Sequence, residues 1–118
     1  MDTESTIAAL AALAQGTRLD VFRLLVRHEP EGLPAGELAR ELAIPHNTMS
    51  SHLAILSRAG LVNGERHSRS IVYRANLDRL RDMMTFLVKD CCGGRAELCA
   101  PLIAELTCCT PADRGALA

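Results

Sequence analysis

The 118-residue chain predicts a mainly α fold with one small β-hairpin, and three observations carry that expectation. Eighteen Leu and 17 Ala stand against ten Val plus Ile, a balance that favours helix over sheet. Apolar residues recur at spacings of three and four through most of the chain. Val62 to His67 and Ser70 to Ala75 instead read as two short strands around Ser68-Arg69, with Ile71 and Tyr73 on one face. One compact domain is expected at this length, with no room for a doubly wound or barrel enzyme of ordinary size. One Tyr, two Phe and no Trp exclude the aromatic stacking platform on which single-strand binders depend.

Taken in order, Thr3 to Ala14 predicts a first helix. Residues 6 to 14 hold seven Ala or Leu among nine, more apolar surface than one small core can hide, so a partner subunit is expected. Thr17, with Asp20 three residues on, resembles a capping box opening a second helix to His28, striped by Leu19, Phe22, Leu25 and Val26. Pro30 and Gly32 end it. Leu33 and Pro34 are expected to open a short third helix with Leu38 and Leu42 inward, and Ala43, Ile44 and Pro45 form the following turn. The fourth helix tolerates Pro45 in its first turn and turns Met49, Leu53 and Leu56 inward. Gly60 stands where a left-handed helix end is wanted. A fifth helix follows from Leu77, striped by Leu77, Leu80, Met84, Leu87 and Val88, and is expected to stop near Cys91-Cys92. After a hinge at Gly93-Gly94, Glu97 to Leu106 is a sixth amphipathic stretch, and the tail from Thr110 is expected to be disordered. The expected division is residues 1–92, with five helices and the hairpin, and 93–118, the last helix and tail with the remaining cysteines.

The outer face of the fourth helix carries Asn47, Thr48, Ser50, Ser51 and Arg58, short hydrogen-bonding groups in place of a solvated Glu/Lys mixture. From Ala43 to Ala75 the charge is +3, with His46, His52 and His67 there too, whereas the remainder is −4. Such asymmetry reads as one surface facing a polyanion. Two short helices joined by a tight turn, then a basic hairpin, make a winged helix-turn-helix. Its fourth helix fits the major groove, and Arg66, Arg69 and Arg74 of the wing reach phosphates or the minor groove. For His52, beside Leu53, base or phosphate contact and a hydrogen bond inside the fold remain alternatives.

Thr17-Arg18-Leu19, Glu37-Leu38-Ala39, Asn47-Thr48-Met49-Ser50-Ser51-His52-Leu53, Leu56, Ala59-Gly60-Leu61-Val62 and Tyr73-Arg74 resemble the ArsR/SmtB metal-sensing repressors over about Gly16 to Val88. The resemblance implies a homodimer, paired through the first and fifth helices, that binds an inverted repeat in double-stranded operator DNA and releases it on binding metal. DNA binding itself would need no cofactor. Two of the family's sensing sites have no counterpart: Pro34-Ala35-Gly36 offer no ligand where some members have paired Cys, and residues 77 to 90 contain no His.

Five Cys, an odd number, all lie between Cys91 and Cys109, which suits a reducing cytoplasm rather than a disulfide framework. Trivalent arsenic, with its lone pair, takes three sulfurs in a pyramid, and adjacent thiols provide two of them. In one unbroken helix Cys91 and Cys99 would stand about 12 Å apart, so a hinge at Gly93-Gly94 is required to bring Cys99 to Cys91-Cys92. The spacing resembles the members that sense arsenite near the C-terminus, with As(III) or Sb(III) as inducer. Another soft metal, a zinc site completed by Cys108 or Cys109, and a thiol redox switch remain alternatives.

No enzyme is expected. Cys108 and Arg114 share the Cys-x5-Arg spacing of phosphatases, but no Gly-rich phosphate cradle lies between them, and no acid and base pair is placed for catalysis. The acidic start and the short apolar stretch from Ile7 to Ala14 predict neither a leader nor a membrane span.

Overall fold

The computed structural model describes residues 1–91 and 100–101, and divides the chain into two units, Met1–Met83 and Met84–Ala118. Residues 100 and 101 are helical. The expected Gly93-Gly94 hinge, the rest of the sixth stretch and the tail lie outside the described residues.

Helix α1, Thr3–Leu13, is capped by Asp2, whose carboxylate accepts the Ser5 N–H at 2.7 Å. That bond holds the Asp2 carboxyl below its ordinary pKa. The cap therefore stabilises the helix above the usual carboxylate range and is lost as pH falls through the lowered value. Thr6, Ala9 and Ala12 face the core, leaving Ile7, Leu10 and Ala11 exposed. Helix α2, Gly16–Arg27, starts differently from the expected Thr17 box: Gly16 is already helical, so Gln15, extended, is the cap and accepts the Arg18 N–H at 2.9 Å.

Leu33 and Pro34 do not open a helix. They form a two-residue strand, β1 (Leu33–Pro34), and helix α3 is Ala35–Glu41. Gly32 makes this possible: at φ +76° its N–H donates to the His28 carbonyl at 2.8 Å. An added Cβ there would stand 2.5 Å from the Tyr73 carbonyl oxygen. Only glycine lets the loop pass so close to the strand it joins.

After α3 the chain turns at Ala43, with φ +53°, and Ile44 N–H closes the turn on the Ala39 carbonyl at 2.9 Å. Helix α4, His46–Arg58, begins one residue after Pro45 and buries Met49, Leu53 and Leu56 as its periodicity predicts. Its end is a Schellman motif. Leu61 N–H donates to Leu56 and Gly60 N–H to Ser57, both at 3.0 Å, with Gly60 at φ +79°.

Strands β2 (Val62–His67) and β3 (Ser70–Ala75) have the expected boundaries, and Ser68 takes φ +61° at the tip between them. Strand β3 is central in an antiparallel sheet of order β1-β3-β2, with Leu33 opposite Tyr73 and Gly64 opposite Tyr73 on the other side. The core gathers Val21 and Leu25 from α2, Leu38 from α3, the α4 stripe, and Leu61 and Val62 leading into the wing.

Helix α5, Leu77–Cys91, ends where the sequence places its stop, at the first of the paired Cys. Its inward residue differs from the expected stripe: Met83 is buried, whereas Leu77 is 42% exposed. Asn76 sets where this helix starts. Its Oδ1 accepts the Arg79 N–H at 3.2 Å, its Nδ2 donates to the Gly60 carbonyl at 2.9 Å, and its backbone N–H donates to the Leu61 carbonyl at 2.8 Å.

Asn76 thus joins the end of α4, the end of the wing and the start of α5. Asn76→Ala removes a cap and leaves the Gly60 carbonyl unpaired, and should lower unfolding free energy by about 1–3 kcal/mol. Asn76→Asp keeps the cap but not the Nδ2 donor, and should fall between. Chemical denaturation of the three proteins measures the order.

Candidate nucleic-acid interface

The turn at Ala43 sets α4 against α3, and burial of Met49, Leu53 and Leu56 leaves the opposite face of α4 outward. On that face Asn47, Thr48, Ser50 and Ser51 are exposed, with Arg58 in the last turn. Ser51 Oγ donates back to the Asn47 carbonyl at 3.3 Å, so its hydroxyl is engaged within the helix. His52 is half-buried beside this face, with its Nδ1 3.5 Å from Arg18 Nη1. The structure therefore gives His52 an internal partner while leaving part of the ring accessible.

Arg66 and Arg69 of the wing are exposed. Arg69, at the tip, joins Ser50 of α4 in lining a notch of about 330 Å³ between α3, α4 and the wing, together with Ser70 and Tyr73. A guanidinium and short hydroxyls gathered around one concavity suit a phosphate oxygen. Glu65 and His67 face each other across 3.7 Å on β2, which adds one carboxylate to an otherwise cationic wing.

Arg74 corrects the expectation of a third phosphate contact. Its Nε and Nη2 fork onto Glu29 at 3.0 and 2.9 Å, tying the centre of the sheet to the loop after α2. The Glu29 carboxylate raises the Arg74 pKa. A guanidinium held in a bidentate pair positions the wing and is not free for DNA. Arg18, which enters the sequence reading only within the Thr17-Arg18-Leu19 match, and Glu29 and Asn76, which do not enter it, all shape the interface. Their roles lie in contacts 34, 45 and 16 residues away, which no local spacing shows.

Of the expected thiol ligands, Cys91 is the last residue of α5, and Cys92 and Cys99 lie outside the described residues. Among the described residues no group of three or more His, Cys, Asp or Glu could hold a metal ion. No helix among them is long and apolar enough to cross a membrane.

The different roles of the wing arginines lead to different expected outcomes. Arg69→Ala should leave stability unchanged and lower the slope of log affinity against log salt by about one. Glu29→Ala should instead lower the melting midpoint, because it strips Arg74 of its partner. Thermal melts and salt-dependent duplex titrations of both variants separate the two roles.

Residues 13–65 match a family described as Helix-turn-helix domain. The transcriptional activator HlyU of Vibrio cholerae serotype O1 is 29% identical over 86 residues, covering 73% of this chain and 77% of HlyU. An ArsR-like transcriptional regulator from Rhodococcus sp. RHA1 superposes with TM-score 0.69 at 26% identity, covering 92% of this chain and 95% of its own. A homodimeric winged helix-turn-helix DNA-binding domain from Mycobacterium bovis, a possible ArsR-family regulator, shares the fold with TM-score 0.61 at 24% identity, over 82% of this chain and 84% of its own. These proteins are transcriptional regulators rather than enzymes. Helix order, the α4 face and the three-stranded wing make a winged helix-turn-helix, and the chain is similar to transcriptional regulators of the ArsR and HlyU type.

Proposed function

We propose that the protein is a homodimeric repressor that binds an inverted repeat in double-stranded operator DNA and releases it when As(III) or Sb(III) binds the thiolates of Cys91, Cys92 and Cys99. It would thereby control metalloid resistance genes. The observation that carries the DNA half is the pairing of the exposed polar face of α4 with the cationic wing tip in one notch. Thr48 and Ser50 lie where a helix in the major groove presents its side chains to base edges, while Arg66 and Arg69 reach the backbone.

Dimerisation is supported by α1, where Ile7 is 60% and Leu10 40% exposed on one apolar face. The Mycobacterium bovis neighbour is homodimeric. Leu10→Glu should give monomers and abolish operator binding, which light scattering and gel shift read together.

Sensing is supported by the vicinal pair Cys91-Cys92 in the sequence, of which Cys91 is the last residue of α5, with Cys99 seven residues further along the sequence. A pyramidal arsenic centre drawing three thiolates together would clamp that helix end. Operator release needs the metalloid to favour the non-binding arrangement by about 1–3 kcal/mol or more, and operator DNA must weaken metalloid binding by the same factor. Cys91→Ser and Cys92→Ser should bind DNA as the parent does yet ignore arsenite. Cys99→Ser should respond weakly, and a double replacement of Cys108 and Cys109 should change little.

A second reading, a winged-helix regulator answering to another soft metal or to thiol oxidation, is favoured by the likeness to HlyU, one of whose similar solved structures is described as the reduced protein. Titrating the reduced protein on duplex DNA with arsenite, cadmium, zinc and peroxide in turn separates the readings. Release by arsenite alone supports the first, and release by peroxide or another metal alone supports the second. Retention of the arsenite response after replacement of all five Cys would end the metalloid reading.

A further inference from the structure

Arg18 is held twice over. Its backbone N–H donates to Gln15 Oε1 at 2.9 Å, and its Nε donates to the Ala12 carbonyl at 2.6 Å. The remaining reach of the side chain ends at α4, where Nη1 lies 3.5 Å from His52 Nδ1. Small residues keep this path open: Ala8, Ala11 and Ala12 of α1 face Ile55 and Ala59 around a notch of about 310 Å³ beside Arg18.

A guanidinium stays protonated in a folded protein and offers donors only. The Nδ1 that faces it must present a lone pair, so the neutral ring keeps its proton on Nε2. His52 follows Ser51 on the outward face and precedes Leu53 in the core, and it is only half-buried. Its remaining polar group is thus a donor, suited to guanine N7 or O6 or to a phosphate oxygen.

We infer that Arg18 is a positioning residue for duplex reading: it fixes His52 in the Nε2–H tautomer and ties the carbonyl end of α1 to the middle of α4. The tautomer stands on geometry alone, whereas its consequence rests on the DNA-binding reading above. Through the same contact a change at α1, the helix proposed to pair subunits, reaches the helix proposed to read bases.

The test uses full-length protein labelled with ¹⁵N-histidine. Long-range nitrogen–proton correlation at a pH where the ring is neutral should show His52 with a bare Nδ1 and a protonated Nε2, and Arg18→Leu should mix the tautomers. Duplex affinity is then measured in a cycle of Arg18→Leu, His52→Ala and the double variant. Arg18→Leu should weaken binding about tenfold in the parent and less than about twofold when His52 is already Ala. If Arg18→Leu does not fold, Arg18→Met keeps the long apolar stem, removes every side-chain donor and gives the same readings. A protonated Nδ1 in the parent, or additive losses in the cycle, overturns the inference. A parent that binds no duplex defeats the DNA reading and the duplex half of this inference with it, while the ring spectrum still decides the tautomer.

Discussion

The end of α4 is the point on which the rest of the geometry depends. Gly60, in the left-handed region, lets the helix close its last carbonyls on Gly60 and Leu61 N–H groups and send the chain straight into β2. Asn76 then returns from the far end of the wing to take the Gly60 and Leu61 carbonyls and to start α5. One glycine and one asparagine thus set three elements relative to each other within the first unit. A residue that satisfies three backbone groups at once, two through its side chain and one through its own N–H, resists displacement because each lost bond leaves a half-buried group without water to replace it.

The wing is built in a similar way. Strand β3 has partners on both sides, and the Glu29–Arg74 fork fastens it to the loop after α2. Positive charge on this hairpin therefore divides between a structural arginine in the middle and free ones towards the tip, with Arg66 and Arg69 exposed. The division has a physical basis. Near the sheet centre a guanidinium is worth most as a bidentate partner, whereas at the tip solvent and distance from carboxylates leave it available for a polyanion.

Among the described residues, two that are not glycine sit in the left-handed region, Ala43 between α3 and α4 and Ser68 at the wing tip. Each costs on the order of 1 kcal/mol. They mark the two turns that aim the proposed DNA-contacting groups, and the neighbouring bonds hold them: Ile44 N–H to Ala39 at 2.9 Å in the first, and the His67–Ser70 pairing in the second. Interfaces that read a rigid duplex gain from such fixed turns, because less freedom is lost on binding.

The sequence by itself determined the helical stripes, the limits of both long strands and the polar outer face of α4. In these the information is periodic and local, as with Met49, Leu53 and Leu56, or lies in a single residue such as Gly60. It also supplied the vicinal pair Cys91-Cys92, the first of which ends α5. Only the tertiary structure decided that Leu33-Pro34 is an edge strand, that Met83 rather than Leu77 turns inward, that Arg74 belongs to Glu29, and that Arg18 faces His52. Two residues are too few to show a period, and a proline is tolerated at a sheet edge where its missing N–H is not needed. An arginine looks the same in sequence whether its carboxylate lies 45 residues away or is absent, because the pairing is set by where the loop after α2 passes the central strand.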